Sequence, residues 1–145
     1  MRISDVLQTK SGGSAVVTVS PDTTVRDLIA LLAEHNIGAV VVSTDDNAVA
    51  GIVSERDVVR GLKDGTGVLD GEVGSIMTAD VRTADPHDSV HDLMKLMTEH
   101  RIRHVPVVSD GDLHGIVSIG DVVKSRIGEL EFERDQLTSY VSNTQ

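Results

Sequence analysis

Apolar and polar positions along the chain fall into two sets of segments that follow one another in the same order. Val25, Leu28, Ile29, Leu31 and Leu32 recur at helical spacing, which predicts an amphipathic helix over this stretch. Val90, Leu93, Met94, Leu96 and Met97 predict a second one. Two β-rich runs follow each helix: Gly38 to Val42 and Val49 to Val53, then His104 to Val108 and Leu113 to Val117. Asp45-Asp46-Asn47 and Asp110-Gly111-Asp112 join these runs as hairpins or tight connections. A shorter β-rich run stands ahead of each helix, Ala15 to Val19 and Val81 to Thr83, and leads to a Pro. A final helix opens at Ser54 in the first set and at Ser118 in the second.

The order reflects an internal repeat. Pro21, Val25, Asp27 and Leu28 recur as Pro86, Val90, Asp92 and Leu93, and Glu34-His35-Asn36-Ile37 recurs as Glu99-His100-Arg101-Ile102. After a one-residue slip, Gly51-Ile52-Val53-Ser54 through Asp57 matches Gly115-Ile116-Val117-Ser118 through Asp121. The expected division is 1–62 for the first repeat, 63–71 for a Gly-rich polar linker loop, 72–128 for the second repeat and 129–145 for a helical extension. That last helix, from Asp121 to Val141, holds no Pro and is longer than one repeat can cover. Its stripe of Val123, Ile127, Leu130, Leu137 and Val141, with Arg134 among them, predicts packing against a second subunit. The helices opening at Ser54 and Ser118 add Val58, Val59, Val122 and Val123 to the surface expected to meet a two-fold partner.

The doubled Gly-Ile-Val-Ser-x-x-Asp turn carries the candidate chemistry. Ser54 and Ser118 with Asp57 and Asp121 have the spacing of a capping box, with the acid in the first helical turn. The same geometry can serve a ligand. A helix N-terminus offers free N–H groups to phosphate, a Ser hydroxyl can donate to a phosphate oxygen, and an Asp one turn on can accept from two ribose hydroxyls. Ser plus Asp at this spacing therefore suits a ribose phosphate better than a bare anion.

Two βαββα copies, each ending in this strand-to-helix turn, resemble a cystathionine β-synthase (CBS) domain pair, or Bateman module, of the small stand-alone bacterial type. Ile76-Met77-Thr78 and Arg103-His104-Val105-Pro106-Val107-Val108 also match the pattern. The resemblance implies an α/β (α+β) fold with pseudo-two-fold symmetry and two nucleotide pockets in the cleft between the repeats. One would use Ser118 and Asp121, with Ile37, Gly38 and Ala39 against the base and His104 near phosphate. The other would use Ser54, Arg56 and Asp57, with Ile102 and Arg103 against the base. Pro106 is also expected among the nucleotide-binding residues. The pockets differ: Arg56 adds a cation that Gly120 does not, Pro106 stands where the first repeat has Val41, and the first repeat carries extra residues around Lys10 to Ser14. Symmetric double occupancy is therefore not expected.

Composition narrows the function. A formal net charge of −10 opposes general nucleic-acid binding, and one Phe, one Tyr and no Trp leave no base-stacking platform. An anionic ligand must instead be held by a local cluster of donors. The chain has no cysteine, which excludes disulfides and thiolate chemistry and fits a reducing cytoplasm. No apolar run approaches a membrane span, and no signal peptide is expected. His100 and His104 would not share one helical face, so no metal site is expected, and no carboxylate pair is set for acid–base catalysis. The expected role is a regulatory or sensor module that binds an adenine nucleotide (AMP, ADP, ATP or NAD(H)), requires no cofactor, forms a homodimer and acts on an unidentified protein target. A dimerising scaffold with vestigial pockets is the alternative, followed by an enzyme acting on a nucleotide.

Overall fold

A computed structural model describes residues 1–9 and 16–143 of the 145-residue chain. Helix α1 (Ile3–Thr9) is followed by β1 (Thr18–Val19), α2 (Val25–His35), β2 (Ala39–Val42), β3 (Gly51–Ser54) and α3 (Glu55–Leu62). The second repeat supplies α4 (Val90–His100), β4 (His104–Ser109), β5 (Asp112–Ser118) and the long α5 (Ile119–Asn143). β1 runs parallel to β2 and β2 antiparallel to β3, while β4 and β5 form an antiparallel pair with an irregularity between Val107 and Val108.

The two central helices begin and end alike. The Thr24 hydroxyl accepts from Asp27 N–H at 3.1 Å and the Ser89 hydroxyl from Asp92 N–H at 3.0 Å, each supplying an N-cap. Both helices stop at a left-handed residue, Asn36 and Arg101, each at φ 53°. Val25, Leu28 and Leu32 of α2 are buried against Val40, Val42 and Val53. Val90, Leu93 and Met97 of α4 are buried against Val105, Val107 and Val117. β2 is buried at all four positions, so Ala39 and Val41 are covered on the face opposite their helix layer. In the β2–β3 loop the Asp45 carboxylate accepts from the N–H groups of Ala48 and Asn47, which lowers its pKa below the usual carboxylate value.

Each repeat's core is completed by the segment that leads into the other repeat. Ile3 and Val6 of α1 are buried in the core of the second repeat, whereas Val73, with Ile76 and Met77 beside it, packs in the core of the first. The backbone repeats the exchange: Ile3 N–H donates to Asp88 and Val73 N–H to Thr23, while Val90 N–H donates to Met1 and Val25 N–H to Gly71. The exchanged segments also explain the glycine that opens each motif. A Cβ on Gly51 would stand 2.7 Å from Met77 Sδ, and one on Gly115 would stand 2.8 Å from Leu7 Cδ2.

Several expectations need correction. Val81 to Thr83 is not a strand: a tight turn places Val81 N–H on Ala79 O at 3.1 Å, and the chain meets the sheet only at Ala84, bridged to Val107. In the first repeat the strand is Thr18–Val19; Ala15 and the extra residues Lys10 to Ser14 lie outside the described residues. The 63–71 loop contains a 3-10 turn, Thr66–Asp70, whose Val68 and Leu69 pack on the first core. Val58 and Val122, expected on a subunit interface, are covered within the chain at 7% and 1% exposure, while Val59 and Val123 remain exposed.

Candidate functional site

Ser54 closes β3 and caps α3. Its N–H donates to Asp57 Oδ2 at 2.8 Å and its hydroxyl donates to the same oxygen at 3.1 Å. In the second copy, Ser118 N–H donates to Asp121 Oδ2 at 2.9 Å, but the Ser118 hydroxyl accepts from Asp121 N–H at 3.1 Å. Both acids thus serve a helix start. In the first copy Oδ1 of Asp57 takes no hydrogen bond among the described residues. The helix starts are also tied to the β2 and β4 turns, since Glu55 N–H donates to Gly38 O and Ile119 N–H to Arg103 O.

A cavity of about 700 Å³ opens beside Ser54 and Asp57, within the range of small-molecule sites. One wall is β3 and the first two turns of α3, from Ile52 to Arg60, with Gly38 and Ala39 at the start of β2. The facing wall is the α4–β4 turn, His100 to His104, and the connecting segment adds Thr78, Asp80, Val81 and Arg82. The site is therefore shared by the two repeats. Thr78 is fixed there by a reciprocal backbone pair with Ile52 at 2.8 and 2.9 Å.

The cavity gathers Ser54, Arg56, Asp57, Ile102 and Arg103, as expected for one pocket, together with Gly38, Ala39 and His104, expected in the other. A methyl on Gly38 would lie 3.6 Å from His104 Nε2, in ordinary contact, so the two residues adjoin across the cavity floor. The remaining residues lie elsewhere. Pro106 is buried within β4. Ile37 lines a separate apolar groove of about 530 Å³ with Ile29, Val58 and Val59. Ser118 and Asp121 line neither cavity.

Five of the chain's nine arginines line the cavity: Arg56, Arg60, Arg82, Arg101 and Arg103. Against Glu55, Asp57 and Asp80 they leave it formally positive, in a chain of net charge −10. Among the described residues none of the five guanidinium groups makes a hydrogen bond or ion pair. Arg26, Arg126 and Arg134, outside the cavity, are each paired with a carboxylate. Motif reading missed Arg60, Arg82 and Arg101. Arg60 had a signal, because it stands one turn after Arg56 on the same helix face. Among the described residues no cluster of His, Asp and Glu could hold a metal, and no helix is long and apolar enough to cross a membrane.

The CBS domain family model matches residues 3–64 and 73–128. The chain is 38% identical over 146 residues to "CBS domain-containing protein CBSX3, mitochondrial" of Arabidopsis thaliana, covering 96% of this chain and 71% of that protein. Among solved structures, a CBS-domain-containing protein from Agrobacterium tumefaciens superimposes with a TM-score of 0.82 at 42% identity, covering 87% of this chain and 99% of that one. A CBS domain protein from Pyrobaculum aerophilum, solved in complex with AMP, superimposes with a TM-score of 0.72 at 30% identity, covering 83% of this chain and 89% of that one.

Proposed function

The chain belongs to the CBS-domain family, and from that premise we propose that it is a regulatory or sensor module binding an adenine nucleotide (AMP, ADP, ATP or NAD(H)) and modulating a protein target in the cytoplasm, rather than an enzyme. The observation that carries this reading is the basic cavity between the repeats, lined by Asp57 and by five arginines that have no carboxylate partner among the described residues. Asp57 accepts from ribose hydroxyls. Arg56, Arg103 and His104 hold phosphate, and Gly38, Ala39 and Ile102 leave room for the base. The AMP complex of the Pyrobaculum protein supports this ligand class. Ser118 and Asp121 would serve a second, separate site.

Thermal denaturation with adenosine, AMP, ADP, ATP and NAD tests the reading. Affinity in the micromolar range, about −8 kcal/mol, is expected. A nucleotide at a hundred times its dissociation constant then adds about 2.7 kcal/mol of stability. AMP should protect better than adenosine, and added salt should narrow the gap. If no nucleotide protects, the reading fails. The scaffold reading is favoured by a different observation, the exposed stripe on α5, and it predicts a dimer that ignores every nucleotide.

A further inference from the structure

The cation count in the cavity exceeds what one phosphate can use. A phosphate monoester offers three terminal oxygens, and two forked guanidinium groups already supply four or more donors to them. Arg56, Arg103 and His104 are enough for that role. Arg60, Arg82 and Arg101 stand on three different segments, α3, the connecting stretch and the end of α4, and all three side chains are exposed at the cavity. Their placement on one cavity is not explained by ion pairing, since none has a carboxylate partner among the described residues although the chain is rich in acids. With Glu55, Asp57 and Asp80 in the same lining, the arginines still leave the cleft formally positive, an excess that a bound anion offsets. Arg101 carries a further cost, because it holds a left-handed backbone conformation, φ 53°, that disfavours most side chains.

We infer that Arg60, Arg82 and Arg101 form a second anion subsite, so that the cavity takes a ligand with at least two linked phosphate groups, an oligophosphate, and reads its phosphate number. The inference rests on the nucleotide reading for the position of the ribose; the oligophosphate subsite itself follows from the arginines. The shared chemistry is the phosphate chain, which a nucleoside triphosphate, a dinucleotide or an inorganic polyphosphate could each supply.

The test is titration calorimetry on the full chain without divalent metal at low salt. AMP, ADP, ATP and NAD form one arm, and inorganic phosphate, pyrophosphate and tripolyphosphate form the other. In the native protein ATP should bind at least about tenfold more tightly than AMP, the worth of one or two added charge-assisted hydrogen bonds. Arg60→Gln with Arg82→Gln should bring that ratio to within about threefold while AMP retains most of its affinity. The variants' melting curves without ligand check that they fold, and Arg101→Asn, which suits the left-handed backbone, gives an independent variant. ATP binding no tighter than AMP in the native protein would overturn the second subsite and leave the nucleotide reading standing. An equal loss of AMP and ATP in the variants would also overturn it, because the arginines would then belong to a single subsite. Tripolyphosphate binding without any nucleotide binding would support the subsite and sink the nucleotide reading. Binding of neither series would sink both.

Discussion

The carboxylate of Asp57 has two tasks on its two oxygens. Oδ2 holds the start of α3 through Ser54, and Oδ1 has no hydrogen-bond partner among the described residues in a side chain that lines the cavity. Asp57→Ala should therefore lose about 0.5–2 kcal/mol of folding stability through the cap. It should also lose about 1.5–3 kcal/mol of nucleotide affinity, the worth of hydrogen bonds to a charged group. Asp121→Ala should show the same loss of stability in urea denaturation, and its effect on affinity distinguishes one nucleotide site from two. Arg101 allows a prediction of opposite sign. The left-handed conformation costs an ordinary residue roughly 1–2 kcal/mol, and Asn adopts it more readily, as Asn36 does at the matching helix end. Arg101→Asn should raise the unfolding free energy by up to about 1 kcal/mol in denaturant titration while weakening ligand binding. A less stable variant would show that the guanidinium contributes to folding.

At the scale of elements, the helices α2 and α4 and the strands that follow them were legible because their apolar periodicity is matched by burial. Val25, Leu28 and Leu32 face the core in the first copy, and Val90, Leu93 and Met97 do so in the second. The leading segments were not legible as core. Ile3 and Val6 lie in a seven-residue helix whose core partners, from Ala84 onward, belong to the other repeat, a pairing that no local pattern reports. Only the match between Ile3-Ser4-Asp5-Val6-Leu7 and Val73-Gly74-Ser75-Ile76-Met77 hints at it. The lining of the candidate cavity was legible where it follows from spacing, at Ser54, Arg56 and Asp57, and not where it depends on tertiary placement, at Arg82 and Arg101. The glycines under the leading segments give the next prediction. A Cβ at Gly51 meets the Thr78 carbonyl at 2.8 Å as well as Met77, and a backbone carbonyl yields poorly. At Gly115 the neighbour is the mobile end of Leu7. Gly51→Ala should cost about 1–3 kcal/mol and Gly115→Ala clearly less, by denaturant titration. Equal costs would mean that the Thr78 strand bridge adjusts as easily as a leucine.

The whole molecule leaves one long element largely uncovered. α5 has 25 residues, about 37 Å of helix, and from Leu130 to Ser142 every side chain is exposed. Ile127, Leu130, Leu137 and Val141 are 49–67% exposed along one stripe. A two-fold copy that laid the same stripe against itself would cover it, with Val59 and Val123 as further contacts. The expected result in sedimentation equilibrium is a dimer at tens of micromolar. Truncation after Ile127 should loosen it, because Leu130, Leu137 and Val141 are lost while the basic cavity keeps all its lining residues. An intact chain that stays monomeric would remove the homodimer from the reading.

The exchange of leading segments has a consequence for how such a chain can be divided. Cutting it between the repeats separates α1 from the core it fills, and Val73 from the core it fills. Neither half then has a complete core, although each has its own sheet and helices. Two identical halves, each carrying its own leading segment, could satisfy one another by trading those segments across a two-fold axis. The two-repeat chain is in this sense a swapped pair joined into one polypeptide. The tether between its halves removes the concentration dependence that two loose halves would face on meeting.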